Sequence, residues 1–183
     1  MLIKEKVIQN AKKFHDTGVK IGVVNDALMS MLGEGFITAP CTTSTNMYGA
    51  YEGGLINHIL NVTKYAITIN SNLPIDKQVD KDSIIRVSLL HQIGKSNMYL
   101  PQDSDWHKKR GEMYKFNNDN LSLKTGERSV FYALKSNIEL NEDEVYAILN
   151  YNNDFGSSEL NNKGEKLASL LKVANLTAMI SDK

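Results

Sequence analysis

The stretch Gly53-Gly54-Leu55-Ile56-Asn57-His58 decides the expected fold, together with Leu89-Leu90-His91-Gln92-Ile93-Gly94-Lys95 about thirty residues later. Each stretch places a histidine in a run of apolar residues. In both runs the apolar residues recur at the spacing of an α-helix, so His58 and His91 fall on or beside buried helix faces. A histidine in such a position is more often a hydrogen-bonded core residue than a ligand.

The same periodicity predicts helices along most of the chain. They cover about residues 3–14, 23–32, 54–71, 81–92, 124–137, 141–151 and 164–180. Residues 36–52 read as an irregular segment, which is either an ordered strap across the core or a functional loop. A small β-hairpin is expected near residues 103–117, with Lys109-Arg110-Gly111 as its turn.

The chain shows no internal repeat and no separate linker, so we expect a single all-α domain over residues 1–183. Residues 1–35 are expected to form its N-terminal helices. Hydrophobic residues make up 42% of the chain and charged residues 23%, as in an ordinary globular protein.

The charges balance, with 21 Lys plus Arg against 21 Asp plus Glu, so no global field favours nucleic acid or an anionic membrane. Cys41 is the only cysteine, which excludes an intrachain disulfide and favours a reducing, cytoplasmic setting. No stretch approaches the ~18 apolar residues of a membrane span. The N-terminus also lacks the apolar core of a signal peptide.

Further motifs occur in a fixed order around the two histidines. They are Phe36-Ile37-Thr38-Ala39-Pro40-Cys41-Thr42, Tyr51-Glu52-Gly53-Gly54, Lys124-Thr125-Gly126-Glu127-Arg128-Ser129, Ala147-Ile148-Leu149-Asn150-Tyr151 and Lys172-Val173-Ala174-Asn175-Leu176. In this order the motifs resemble the HD-domain metal-dependent phosphohydrolases, in a subgroup common in bacteria and their phages. The resemblance covers residues 36–178, and several motifs in order are more specific than any one alone. It implies an irregular helical bundle that hydrolyses phosphoesters with a divalent metal.

The resemblance places the metal site at His58, His91, Gln92 and Asn175. The family has aspartate at the last two positions, where this chain has amides of similar shape. Mg²⁺, Mn²⁺ and Fe²⁺ prefer charged oxygen ligands beside imidazole, and the metal then activates a water for attack on phosphorus. Two imidazoles and two neutral amides make a poor site for such ions and leave only weak binding of Zn²⁺ or Ni²⁺.

Five other positions match motifs that the family uses in catalysis or substrate binding. Thr125 and Tyr151 stand where the family has histidine. In an active relative Lys95 would help to hold the substrate phosphate, although a solvated lysine at a helix end explains it equally well. Arg128 has the same two interpretations. Glu127 lies in the first turn of the same helix, where a carboxylate suits the helix dipole.

Three functions are compatible with these residues. We favour a catalytically inactive HD-domain protein, a pseudoenzyme, that acts as a binding or interaction module without a cofactor. The alternative is a residual phosphohydrolase that cleaves a nucleotide or another phosphoester. It would hold Mn²⁺, Ni²⁺, Fe²⁺ or Mg²⁺ with His58, His91 and carboxylates recruited from Asp154 and Glu127. The third is a structural subunit of a larger assembly.

The expected partners follow from the same reasoning. A protein partner is expected, with a nucleotide in the remnant cavity as a second ligand, and neither a membrane nor nucleic acid. The short basic run Lys108-Lys109-Arg110 is more typical of a solvated loop than of a phosphate site. Because the resembling subgroup is frequent in phages, the resemblance implies a phage-encoded protein in the host cytoplasm or in a virion.

Overall fold

The computed structural model describes residues 2–120, 122–153 and 162–182. Within these ranges the chain is mostly helical with one small two-stranded hairpin, which confirms the expected all-α class. The helices are α1 (Leu2–Lys20), α2 (Asp26–Leu32), α3 (Gly35–Thr38), α4 (Gly54–Ser71), α5 (Lys81–Leu90), α6 (Asp105–Lys109), α7 (Thr125–Lys135), α8 (Glu142–Asn150) and α9 (Lys163–Ser181). The strands are β1 (Tyr99–Pro101) and β2 (Tyr114–Phe116).

Helix α4 lies in the middle of the fold and packs against α1, α5 and α9. Its predicted apolar stripe is buried, since Leu55, Ile59, Val62 and Ala66 are at most 1% exposed. His58 lies on the same side of the helix and has no exposed surface. No helix among the described residues is long and apolar enough to cross a membrane.

Helix α5 ends at Leu90, and His91 is its C-cap. The chain then makes one 3₁₀ turn over Ile93–Lys95, which packs against α7. Gly94 permits this packing, because a Cβ atom there would lie 2.4 Å from the carbonyl oxygen of Thr125. The turn therefore holds the side chains on either side of Gly94 in fixed positions.

Residues 39–52 of the predicted irregular segment cross the core as an ordered strap, whereas residues 36–38 belong to α3, where the prediction of an irregular segment is wrong. The amide of Leu55 donates to the carbonyl of Ala39, and the amide of Cys41 donates to the carbonyl of Gly49. The strap buries Cys41 completely and leaves Tyr48 only 8% exposed. These two side chains reach the interior between α4 and the turn that follows α5.

The hairpin exists, but its predicted turn is wrong. Strand β2 pairs antiparallel with β1, with Tyr99 opposite Phe116 and Pro101 opposite Tyr114. Residues 102–113 connect the strands and include α6, so Lys109-Arg110-Gly111 is the end of a helix and not a tight turn. The guanidinium of Arg110 lies 4.5 Å from the ring centre of Trp106 and stabilises this helical connection.

Candidate functional site

Four side chains from three separate helical regions meet in the core. His58 comes from α4, His91 and Gln92 from the end of α5, and Asn175 from α9. All four are at most 5% exposed. We call these residues the central cluster. They are the positions at which the sequence resemblance placed a metal site, and the fold brings all of them together.

Asn175 is the hub of the central cluster. Its Oδ1 lies 2.9 Å from Nε2 of His58 and accepts a hydrogen bond of 3.1 Å from Nε2 of Gln92. With the amides placed in this way, Nε2 of His58 would have to carry a proton in addition to the one that Nδ1 donates to Asp182, so the roles in this pair depend on the ring tautomer. If both amides are turned over, Asn175 donates to Nε2 instead. In either arrangement Nε2 of His58, the ring nitrogen that faces the cluster, is hydrogen-bonded to Asn175.

The other ring nitrogen of His58 is held by Asp182, which the sequence analysis did not identify. Nδ1 lies 2.7 Å from Oδ2 of Asp182, and the two side chains are 0% and 2% exposed. Oδ1 of Asp182 also accepts hydrogen bonds from Asn57 and Asn61, at 3.4 Å and 2.5 Å. Asp182 lies two helical turns after Asn175, so their shared face of α9 is the signal that would have found it.

His91 is oriented by the main chain. Its Nδ1 lies 2.7 Å from the carbonyl oxygen of Ser88, to which it donates, whereas Nε2 has no hydrogen-bond partner among the described residues. The ring of Tyr151 meets it edge-on at 5.2 Å. Burial is the main cause that lowers the pKa of His91 to about 3, and the neighbouring His58 contributes to the same shift. His91 is therefore a neutral imidazole whose Nε2 makes no hydrogen bond of ordinary geometry, although Asn175 lies close enough to raise its pKa slightly.

This neutral imidazole predicts a pH dependence of stability. The folded-state pKa of about 3 lies below the ordinary value of 6.5, so protonation favours the unfolded chain. The stabilisation is complete above about pH 6.5 and is lost as the pH falls toward 3. In this window we expect His91 to contribute a loss of up to about 1.4 kcal/mol of unfolding free energy per pH unit. Urea denaturation between pH 7 and pH 4 measures the total slope.

The contribution of His91 is isolated by comparing variants. We expect a shallower slope in His91→Asn than in the control His15→Asn, which removes a histidine whose side chain is 46% exposed. An NMR titration of the His91 ring in the folded protein provides an independent measurement. Protonation of the ring above pH 5 would contradict the prediction.

Gln92 connects the central cluster to the strap. The thiol of Cys41 donates to Oε1 of Gln92 at 3.3 Å, and burial raises the pKa of this thiol. Lys95 turns toward the same place, with Nζ donating to the carbonyl of Cys41 at 3.1 Å and lying 5.8 Å from the ring centre of Tyr48. Lys95 is thus a partly buried cation that ties the turn after α5 to the strap. It is not the solvated lysine considered from the sequence.

The remaining predicted positions divide into two groups. Tyr151 reaches the central cluster through its contact with His91, as described above. Arg128 is 6% exposed and donates to the carbonyls of Gly94 and Leu123, both at 3.3 Å. Glu127 is exposed and accepts from the amide of Lys124. Arg128 and Glu127 therefore stabilise the start of α7 and its neighbouring turn.

Thr125 is the first residue of α7, and its carbonyl packs against Gly94. It contributes a main-chain contact there, whereas Arg128 and Glu127 act through their side chains. Asp154, the second carboxylate proposed for recruitment by a metal, lies outside the described residues.

The donor set does not fit a hard divalent metal ion. Among the described residues, no group of three or more His, Cys, Asp or Glu side chains is arranged to hold a metal. The carboxylate nearest the cluster, Asp182, is on the far side of the His58 ring and is already shared by three donors. The free ligand atom is Nε2 of His91, and one neutral nitrogen cannot replace the charged oxygens that Mg²⁺ or Mn²⁺ requires.

In comparisons with known proteins, no family model, no curated protein and no solved structure matches the chain. The interpretation of the central cluster consequently rests on its own geometry and chemistry.

Proposed function

We propose that this protein is a catalytically inactive relative of the HD-domain phosphohydrolases and acts as a binding or interaction module. The observation that carries the proposal is the hydrogen-bonded position of Asn175. Its side chain joins His58 to Gln92 at the place where a metal-binding relative would hold two carboxylates and an ion. The hydrogen bonds between these side chains take the role that the metal has in the family.

Catalysis by the family chemistry needs charge in this place. A bound dication lowers the pKa of its water and stabilises the negative charge that develops on the phosphoryl oxygens. Neutral amides supply neither effect. The buried side chains also have their hydrogen bonds largely within the protein, so admitting a hydrated ion would mean breaking bonds that already satisfy Asn175 and Gln92.

The proposal favours a protein partner, because a sequestered cluster contributes little to ligand recognition. A nucleotide in the remnant cavity would have to reach side chains that are at most 5% exposed, which requires the elements around them to open. A surface contact needs no such opening. If the chain is phage-encoded, as the resemblance implies, the partner is a component of the host cytoplasm or of the virion.

Metal titration tests the loss of the site. We expect no stoichiometric binding of Mn²⁺ or Ni²⁺ to the wild-type protein by isothermal calorimetry and elemental analysis. The double substitution Gln92→Asp plus Asn175→Asp restores two carboxylates, so we expect Mn²⁺ affinity at least about tenfold above that of a control, corresponding to ~1.4 kcal/mol. The control is Asn72→Asp plus Gln78→Asp, which adds the same charge at exposed positions.

The same samples distinguish the alternative function. Tight stoichiometric metal in the wild-type protein, together with turnover of any compound in a panel of nucleotide phosphoesters, would overturn the proposal in favour of a residual phosphohydrolase. Equal Mn²⁺ affinities of the double variant and its control would also count against it, since the amides would then not be what prevents metal binding. Circular dichroism of each variant establishes that it is folded before the titration.

A further inference from the structure

A groove between the strap and the hairpin takes no part in the central cluster. Its volume is about 460 Å³, within the range of roughly 300–1,000 Å³ that is usual for small-molecule sites. Its lining includes Pro40, Ser96, Tyr99, Pro101, Tyr114 and Asn117. Pro40 belongs to the motif Thr38-Ala39-Pro40, to which the proposed function assigns no role. This motif forms part of the wall of the groove.

The hairpin presents an aromatic face to this groove. Tyr99 is paired with Phe116, and Pro101 with Tyr114, so these four side chains lie on one face of the two-stranded ribbon. The rings of Tyr99 and Phe116 are 5.3 Å apart. Tyrosine rings bind other flat rings by stacking, whatever the exact pattern of substituents on the ligand. The groove is therefore suited to a planar ring.

The lining of the groove carries no charge. None of the described residues that line it is Lys, Arg, Asp or Glu. Lys115 in β2 is paired with Leu100, which lines the groove, but Lys115 itself is not a lining residue and its Nζ lies 2.8 Å from the carboxylate of Asp103. A phosphate or carboxylate would find no cation in the groove to replace its hydration. The ligand should accordingly be uncharged at the part that enters.

Ser96 supplies a polar group at the groove. It lines the groove and is only 4% exposed, yet its Oγ has no hydrogen-bond partner among the described residues. A buried hydroxyl without a partner is unfavourable, so most such groups in folded proteins are satisfied by another polar atom. Because its Oγ is enclosed by protein atoms, this hydroxyl would have to turn to another rotamer to bond a heteroatom of a ring in the groove.

We propose that this groove binds an uncharged ligand with a planar, heteroatom-containing ring, of the nucleoside class. The ring stacks against Tyr99 or Tyr114, and the hydroxyl of Ser96 bonds one of its heteroatoms. The proposal is independent of whether the central cluster has lost its metal, since the two sites share no lining residue.

Titration with free nucleosides tests this proposal on the wild-type protein. With adenosine, guanosine, cytidine and uridine as probes in ligand-observed NMR and calorimetry, we expect at least one Kd on the order of 0.1 mM. The corresponding 5′-monophosphate should bind no more tightly, because no cation lines the groove. Binding of none of the four at millimolar concentration, or tighter binding of the monophosphate, would overturn the proposal.

Substitutions locate the site. Ser96→Ala should weaken the tightest nucleoside by roughly three- to tenfold while leaving Tm unchanged or raised, because the hydroxyl has no partner in the free protein. Ser136→Ala is the matched control, since Ser136 is also buried with an unpartnered Oγ but lies outside the groove. At least one of the two substitutions Tyr99→Leu and Tyr114→Leu should weaken binding by roughly tenfold or more through lost stacking.

The proposal fails if Ser96→Ala binds with wild-type affinity, or if Ser136→Ala loses as much affinity as Ser96→Ala. A neutral proline-rich peptide is the rival occupant of a groove with tyrosine walls. Binding of such a peptide, with no nucleoside binding, would assign the groove to peptide recognition and overturn the present assignment. Melting curves of each variant separate loss of binding from loss of fold.

Discussion

Gly54→Ala should destabilise the protein by about 3 kcal/mol or more, or prevent folding altogether. A Cβ atom at this position would lie 2.1 Å from the carbonyl oxygen of Gly49 and 2.8 Å from its carbonyl carbon. Both atoms belong to the backbone of the strap, so no side-chain rotation relieves the overlap. The start of α4 would have to move away from the strap, which carries Cys41 and Tyr48 into the core. Urea denaturation measures the loss.

Gly35→Ala is the matched control for this substitution. A Cβ atom at Gly35 would meet only Oδ1 of Asn97, at an ordinary contact distance of 3.5 Å. Alanine also favours helix over glycine by up to about 1 kcal/mol, so this variant should be as stable as the wild type or slightly more stable. Similar losses in the two variants would mean that close contact between α4 and the strap is not the reason for glycine at position 54.

Most of the helical part of the fold was predictable because it depends on local periodicity, but α1 continues to Lys20 beyond its predicted end at residue 14, and the short helices α3 and α6 were not predicted. The apolar stripe of α4 and the positions of its two ends follow from the spacing of apolar residues alone. The hairpin was not predictable to the same degree. Residues 114–116 carry a strand signal, but their partner is β1, and a pairing across a connection of twelve residues depends on tertiary packing. The prediction from local turn residues therefore placed the connection of the hairpin at Lys109-Arg110-Gly111, which is wrong.

The central cluster was predictable from the order of motifs, whereas its connections were not. His58, His91, Gln92 and Asn175 were expected together, and they do meet. The role of Cys41 depends on a contact with Gln92 across 51 positions of sequence, which leaves no trace in local periodicity. The position of the Lys95 side chain was equally unpredictable, because its Nζ is held by a carbonyl of the strap and not by the helix end that precedes it.

Asp182 was missed because a helix boundary was placed too early. The apolar pattern predicted that the last helix ends near residue 180, but α9 continues to Ser181 and Asp182 is its C-cap. Helix ends are weakly determined by sequence, since the last turn has few apolar contacts and lacks part of its hydrogen bonding. A difference of about one residue in the helix end was enough to leave its C-cap, a carboxylate that contacts His58, out of consideration.

Asp182→Ala should lower the free energy of unfolding by about 3–5 kcal/mol. The carboxylate is 2% exposed and accepts hydrogen bonds from His58, Asn57 and Asn61. Its removal leaves three donors without their acceptor, and the His58 ring is fully buried. It also releases the end of α9 from α4, so the position of Asn175 in the central cluster should loosen. Urea denaturation and amide hydrogen exchange along α9 measure the two effects.

Asp76→Ala distinguishes this effect from the general loss of an acidic side chain. Asp76 lies near the ammonium of Lys77, but its side chain is 72% exposed, so we expect a change of at most about 0.5 kcal/mol. Asp182→Asn provides the finer test. It keeps the shape and one acceptor, but directs an NH₂ group at donors that need an oxygen, so it should remain less stable than the wild type. An Asp182→Asn variant as stable as the wild type would show that the charge and second oxygen of Asp182 do not hold α9 against His58.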